Sequence, residues 1–228
     1  MLLVLTNDDG IDAPGIQALV QAVQPFSDQV VMIAPQAHLS GCSHQVTTTE
    51  AIQVETRSDS EFAIAGTPAD CVRLAISHLY PEVQWVLSGI NAGANLGADA
   101  YISGTVAAVR EATLHGIRGI AISQYRQGKR AIDWELAAQL TTQVLAKLFD
   151  RPPESGTFWN VNLPHLLPEA SMPEPVFCSA CIQPLPIDYR IEGDRFYYAG
   201  NYAQRPRDPG TDVEVCFSGQ IAITQLRL

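Results

Sequence analysis

Short, almost wholly apolar runs alternate along the first part of this chain with segments whose apolar residues recur at helical spacing. Few folds accommodate that alternation. Residues 2–6 and 30–34 are continuous apolar runs, the pattern of strands buried on both faces. Between them Ile16, Leu19, Val20 and Val23 follow Pro14 at helical spacing, so residues 14–23 read as a helix. The spacing predicts further helices over 69–79, 106–114 and 133–149, and strands over 85–87, 117–123 and 157–161. One antiparallel pair, 47–56 and 62–65, flanks the polar turn at Ser58–Ser60. Strand–helix alternation of this kind requires a parallel sheet covered on both faces, a Rossmann-like α/β fold. Ligands on such sheets bind beyond the carboxyl ends of the strands.

After Leu163 the texture changes. Prolines become frequent, helical periodicity disappears, and β-like runs appear at 176–181, 213–217 and 221–226. The reading is an α/β catalytic core over 1–163 and a β-rich C-terminal extension over 164–228, together one structural unit. The stretch 184–212 carries Phe196, Tyr197, Tyr198 and Tyr202 amid polar, Pro- and Gly-rich sequence. Its length and aromatics suit a partner-binding arm better than disorder, the alternative being an arm folded back on its own subunit.

Net charge is −10, with 14 basic against 24 acidic residues. That composition argues against a nucleic acid polymer as partner, because backbone affinity comes from clustered Lys and Arg. A small phosphate ligand is still allowed, since one bound cation reverses the local field. No apolar stretch approaches the ~20 residues of a membrane helix, and no leader pattern opens the chain. The expectation is a cytoplasmic protein without membrane contact. Five cysteines, an odd number, agree with a reducing compartment. The lone Cys178-Ser179-Ala180-Cys181 has neither a second pair nor a nearby His, and reads as structural rather than as a zinc site.

Three loops follow predicted strands. The first, Asn7-Asp8-Asp9-Gly10, stands where a dinucleotide fold would offer glycines. Asp8 and Asp9 would repel a pyrophosphate and each other unless a proton or a cation intervenes. A hard divalent ion, Mg²⁺ or Mn²⁺, resolves both conflicts. The alternative is a turn with a helix cap. The second loop, "APQAHLSGCSH", offers Ser40 as a metal ligand; no G-x-S-x-G elbow supports it as a nucleophile. His38 and His44 read as loop residues. The third loop, "SGINAGANLGADAYISGT", ends in Ser103-Gly104-Thr105 at a helix start. Glycines permit close backbone approach and a helix N-terminus attracts an anion, so this is a candidate phosphate cradle without the Lys of a P-loop. Its alternative is a flexible loop with a Ser cap. Asn91 and Asn95 offer neutral oxygens to a metal shell.

Taken in order, "TNDDGIDAPGI", "APQAHLSGCSH", "GTPADCV", "SGINAGANLG", "SGTVAAVREA" and "DPGTDVEV...GQIAITQL" resemble the SurE family of metal-dependent phosphatases, the survival-protein nucleotidases. The resemblance spans nearly the whole chain. It implies hydrolysis of nucleoside 5′- and 3′-monophosphates, with some activity on short polyphosphate. It implies one divalent metal per subunit, held by Asp8, Asp9, Ser40 and Asn91. Asn95, Ser103, Gly104 and Thr105 would then face the phosphate. It also implies a homodimer or homotetramer that exchanges C-terminal arms. Two departures are Arg110-Glu111-Ala112, where the family commonly has a small residue before Glu-Gly, and His38, which puts substrate preference in doubt.

The residues and the resemblance converge on metal-activated water attacking phosphorus, with Asp8 orienting or deprotonating the water and Asp9 chiefly a ligand. A rival mechanism makes Asp8 a nucleophile that forms an aspartyl-phosphate. A rival class is the receiver-like signalling domain, which also places paired acids after its first strand. It needs an acceptor Asp where Ser88-Gly89 stands and a Lys where Gln124 stands. The blander rival is a phosphate-binding protein without catalysis.

Overall fold

The computed structural model describes residues 1–166 and 171–228. Its centre is a nine-stranded sheet. The strands are β1 (Leu3–Thr6), β2 (Val30–Pro35), β3 (Val54–Ser58), β4 (Glu61–Ile64), β5 (Trp85–Asn91), β6 (Arg118–Gln124), β7 (Thr157–Leu163), β8 (Pro175–Phe177) and β11 (Ile221–Arg227), in spatial order β3-β4-β2-β1-β5-β6-β7-β11-β8. A separate hairpin pairs β9 (Tyr189–Glu192) with β10 (Arg195–Tyr198). Helices are α1 (Pro14–Val23), α2 (Pro68–Leu74), α3 (Gly104–Leu114), α4 (Trp134–Phe149) and α5 (Asp212–Phe217). A π-helical turn, Ala75–Leu79, prolongs α2.

The run β4-β2-β1-β5-β6-β7 is parallel throughout; β3 and β11 pair antiparallel to β4 and β7. Alternate residues of each central strand therefore serve opposite cores. Leu3, Leu5, Trp85, Leu87, Ile120 and Ile122 pack with residues of α1 and α4. Val4, Val86 and Ala121 pack with residues of α2 and α3. This two-sided burial is why the parallel strands read as continuous apolar runs. Helix starts are fixed locally. Thr67 and Asp70 form a reciprocal capping box on α2, and the side chains of Ser103 and Asp133 cap α3 and α4.

Two expected strands come out differently, and the run expected over 176–181 is a strand only as β8 (Pro175–Phe177), since beyond it the Cys181 amide turns to Asp212 at 2.8 Å. Residues 213–217 form α5, not a strand. Val213, Val215 and Phe217 mimic alternation, but Val213 and Cys216, three apart, are the pair buried against Leu96, Tyr125 and Ala222. Glu214 accepts the Gly210 amide at 2.5 Å at the start, and Gly219 at φ +90° closes the end. The expected strand over 47–56 is regular only from Val54. Thr47 leaves the ladder because its amide and hydroxyl both bond Asp70, at 2.9 and 2.8 Å.

The chain leaves β1 outward to β2, goes on to the edge strand β3 and folds back into β4 between them, then returns across β1 to β5 and moves outward the other way. The strand order thus reverses between β1 and β5, and the loops beyond those two strands open a crevice there.

Candidate functional site

The first loop is shaped by Asn7. Its Nδ2 donates to the Gly10 carbonyl at 2.7 Å, its Oδ1 accepts the Gly10 amide at 3.2 Å, and Gly10 takes φ +104°. This turn sets both carboxylates at the mouth of the crevice. Asp8 is only 3% exposed, and no Lys or Arg pairs with it or with Asp9 among the described residues. Asp8 Oδ1 accepts from Thr105 Oγ1 at 2.5 Å. Burial pushes the Asp8 carboxyl above its ordinary value; Thr105 opposes that shift and the Asp9 charge adds to it. Asp9 Oδ2 accepts the Ala92 amide at 3.0 Å, and its Oδ1 lies 3.1 Å from His38 Nδ1.

The second loop is tied down by the Leu39 amide, which donates to the Asp8 carbonyl at 2.7 Å and leaves Ser40 at the cleft wall. The third loop runs from the end of β5. Asn91 commits its Nδ2 to the Gly93 carbonyl at 2.8 Å, which leaves Oδ1 as its free acceptor. Asn95 is held from beneath by polar side chains at the ends of β6 and β7. Its amide donates to Asn162 Oδ1, its carbonyl accepts from Asn160 and Asn162, and its Nδ2 donates to Ser123 Oγ.

Directly against Asp8 stands the start of α3. Ser103 Oγ accepts the Val106 amide at 3.1 Å, while the amides of Gly104 and Thr105 have no hydrogen-bond partner among the described residues. Gly104 permits the close approach: a Cβ there would lie 2.9 Å from Asp8 Cβ. Together Asp8, Asp9, Ser40, Asn91, Asn95 and Ser103 line a cleft of about 460 Å³. Gly104 and Thr105 are the exceptions: neither is part of the cleft wall, and Thr105 is fully buried with its hydroxyl spent on Asp8.

Two cleft residues were not apparent from the motifs, Asp99 and Arg126. His44 is not at the cleft. It bonds Glu111 at 2.8 Å, and Glu111 also meets Arg73 and His115, both at 3.1 Å. Arg110, one of the departures, donates to the Ala100 carbonyl at 2.8 Å and so braces the turn before α3.

The donor set suits a hard cation. Two carboxylates, neither paired with a Lys or Arg among the described residues, are joined by hydroxyl and amide oxygens. No cluster of three or more His, Cys, Asp or Glu in a metal-holding arrangement occurs among the described residues. A metal here would rest on Asp8 and Asp9 with neutral oxygens from Ser40 and Asn91.

Fold and cleft define a doubly wound α/β protein with a paired-carboxylate site facing a helix N-terminus at the sheet's switch point. The profile of the Survival protein SurE family matches residues 3–182. The chain belongs to that family. It is 63% identical, over the full length of both chains, to a Nostoc sp. (strain PCC 7120) relative provisionally named a 5′-nucleotidase. It is 36% identical to the 5′-nucleotidase SurE of Methylobacterium nodulans, covering all of this chain and 94% of that one. The crystal structure of the SurE protein from Aquifex aeolicus superposes with a TM-score of 0.88 at 31% identity, over 100% of this chain and 93% of that one.

Proposed function

We propose that this chain is a divalent-metal-dependent phosphomonoesterase acting on nucleoside 5′- and 3′-monophosphates, with short polyphosphate as a secondary substrate. The observation that carries the reading is the cleft itself. Asp8 and Asp9, with no Lys or Arg partner among the described residues, line one crevice with Ser103 at the start of α3, where the Gly104 and Thr105 amides have no hydrogen-bond partner. The names of the relatives support nucleotides as the substrate class.

A divalent ion held by Asp8, Asp9, Ser40 and Asn91 supplies Lewis-acid stabilisation of the phosphoryl group and makes water more acidic. The chain's own residues do the rest. Asp8 orients the attacking water and takes its proton. Thr105 holds the Asp8 carboxylate in place. Ser103 meets the negative charge that builds on the phosphoryl oxygens, with the start of α3 behind it. Asn95, pinned by Asn160 and Asn162, keeps the opposite wall rigid. Turnover of p-nitrophenyl phosphate and AMP with Mn²⁺ or Mg²⁺, and its loss with chelator, tests the reading. No turnover with any divalent ion overturns it. Rapid-quench trapping of a phosphoenzyme would replace water attack by an aspartyl-phosphate route.

The chain also acts as a homo-oligomer, a dimer or tetramer joined through the β9–β10 arm, in the cytoplasm. Every residue of that hairpin is exposed, and Ile191 and Phe196 are 61% and 64% exposed. Such an apolar, aromatic surface suits burial against a second copy. None of the described helices is long and apolar enough to cross a membrane. Light scattering on the intact chain and on a variant lacking residues 187–200 tests the arm. A monomeric intact chain, or an oligomer unchanged by the deletion, overturns it.

A further inference from the structure

The C-terminal segment returns to the cleft just after the hairpin. The Arg205 side chain is 0% exposed, an unusual place for a guanidinium unless it is paired. Its Nη1 donates to Asp99 Oδ2 at 2.8 Å and its Nη2 to the Leu96 carbonyl at 3.3 Å. The guanidinium lies 5.0 Å from the ring centre of Tyr202. The Tyr202 hydroxyl donates to the same Asp99 oxygen at 2.5 Å, as does the Leu96 amide at 3.1 Å. Asp99 sits in the short helical turn Gly97–Tyr101, between the glycine-rich loop and α3, and it lines the cleft with Asp8 and Asp9.

A third carboxylate in a cleft that takes a phosphate dianion is an electrostatic problem. An unpaired anion there repels the ligand and is itself costly to bury. The pairing differs between the three. Asp8 and Asp9 have no Lys or Arg partner among the described residues and are available to a cation. Asp99 Oδ2 already accepts three donors, one of them a full positive charge. We propose that Arg205 is a positioning residue of the cleft. It neutralises Asp99 and ties the turn before α3 to the C-terminal segment, so that phosphate meets donors rather than a third negative charge.

Burial by itself lowers the Arg205 pKa, but the Asp99 charge, Tyr202 and the hydrogen bonds to both together outweigh it, and the guanidinium stays above its ordinary value as a permanent cation. Burial first, and then Asp99, raise the Tyr202 hydroxyl, so it remains a neutral donor. The backbone of the same turn is gripped independently: the Gly97 amide donates to Asp212 Oδ2 at 2.8 Å. Asp212 therefore keeps the turn attached when Arg205 is changed, which separates the charge of Arg205 from its packing.

This inference rests on the phosphate-cleft reading, and the test keeps the two apart. The quantity measured is binding of inorganic phosphate to the Mn²⁺-loaded protein by calorimetry, with Mn²⁺ titrated alone as the reference. Arg205→Met weakens phosphate on the order of tenfold, the effect of one unpaired charge across a partly solvated cleft, with Mn²⁺ affinity within about twofold. Arg205→Lys keeps phosphate affinity within about threefold. Adding Asp99→Asn to Arg205→Met removes the uncompensated charge and restores phosphate to within about threefold of wild type. A double variant as weak as Arg205→Met means that packing alone matters, and overturns the proposal. If Arg205→Met does not fold, Asp99→Asn alone decides. Retained Mn²⁺ and phosphate affinity supports the proposal, and a tenfold loss of Mn²⁺ affinity makes Asp99 a metal ligand and overturns it. Wild-type protein that binds phosphate without turning over a phosphomonoester defeats the hydrolase reading while the charge comparison still stands; wild-type protein that binds no phosphate overturns both.

Discussion

Gly104→Ala adds one methyl group at the point where α3 backs onto Asp8. Its Cβ would lie 2.9 Å from Asp8 Cβ, 3.1 Å from Asp8 Oδ2 and 2.8 Å from Cys42 Sγ. Carbon–carbon contacts relax to about 3.5–4.0 Å, so a neighbour must shift by roughly 0.6–1 Å. Cys42 is half-buried and can turn aside. Asp8 is held by Thr105 and by its place at the end of β1, and it takes up the remaining strain. Alanine is the better helix former by up to about 1 kcal/mol, whereas overpacking costs about 1–3 kcal/mol. The net cost, up to about 2–3 kcal/mol, leaves the chain folded, and the functional loss falls on the site. A displacement of about 1 Å at a reacting carboxylate costs on the order of a hundredfold in rate. The assay is kcat on p-nitrophenyl phosphate at saturating Mn²⁺, with urea melts on the same preparations. Gly93→Ala is the internal control. Its Cβ meets only Asn91 Nδ2, at 3.6 Å, an ordinary contact, and it keeps kcat within a few-fold. A folded Gly104→Ala enzyme with kcat within threefold of wild type, or a Gly93→Ala enzyme equally damaged, refutes the reasoning.

Asp8→Asn and Asp9→Asn each nearly abolish turnover at saturating Mn²⁺; a near-normal kcat in either removes that residue from the machinery. Ser103→Ala raises the inhibition constant of inorganic phosphate by roughly tenfold, one hydrogen bond to a charged group at about 1.5–3 kcal/mol, and leaves Mn²⁺ affinity unchanged. Thr105→Val acts the other way, because its hydroxyl serves Asp8: calorimetry should show Mn²⁺ binding weakened about tenfold or more, with phosphate inhibition following only in proportion. Gly15→Ala is a stability change, not a site change. Its Cβ would fall 1.9 Å from the Ile90 carbonyl oxygen, a backbone atom that cannot turn aside, and the urea midpoint should fall by the equivalent of about 3 kcal/mol or more.

What was legible in the chain tracks how local its cause is. The helices over 14–23, 106–114 and 133–149 show in the sequence because their start signals, Pro14 for the first and the Ser103 and Asp133 caps for the others, and their apolar stripes are local. The two departures in secondary structure have causes from elsewhere. Thr47 is drawn off its strand by Asp70, 23 residues away, and α5 is chosen by burial against Leu96 and Tyr125 rather than by its own alternation. The same division runs through the cleft. Asp8, Asp9, Ser103 and Gly104 stand in compact motifs after strands, where parallel-sheet geometry says a ligand belongs. Thr105 was placed in the right loop but on the wrong side of the helix start, because a motif gives position along the chain and not the direction of a hydroxyl.

The supporting polar groups had a fainter signal. Asn160 and Asn162 sit at alternate positions of an otherwise apolar β7, on one face, where burial of an amide demands a partner. That demand is visible in the sequence, but its satisfaction, the peptide of Asn95, is not. Asp99 and Arg205 had no signal, since 106 residues separate them and nothing in "AQRPRD" resembles a site. Yet they explain why the glycine-rich loop can be rich in glycine and still hold a shape. Asn160 and Asn162 fix its middle from the sheet, and Asp212, Tyr202 and Arg205 fix its far end from the C-terminal segment. The cleft is therefore assembled from both ends of the chain. An N-terminal fragment ending at Leu163 would keep every expected site residue and lose the charge and the hydrogen bonds that hold the loop against α3.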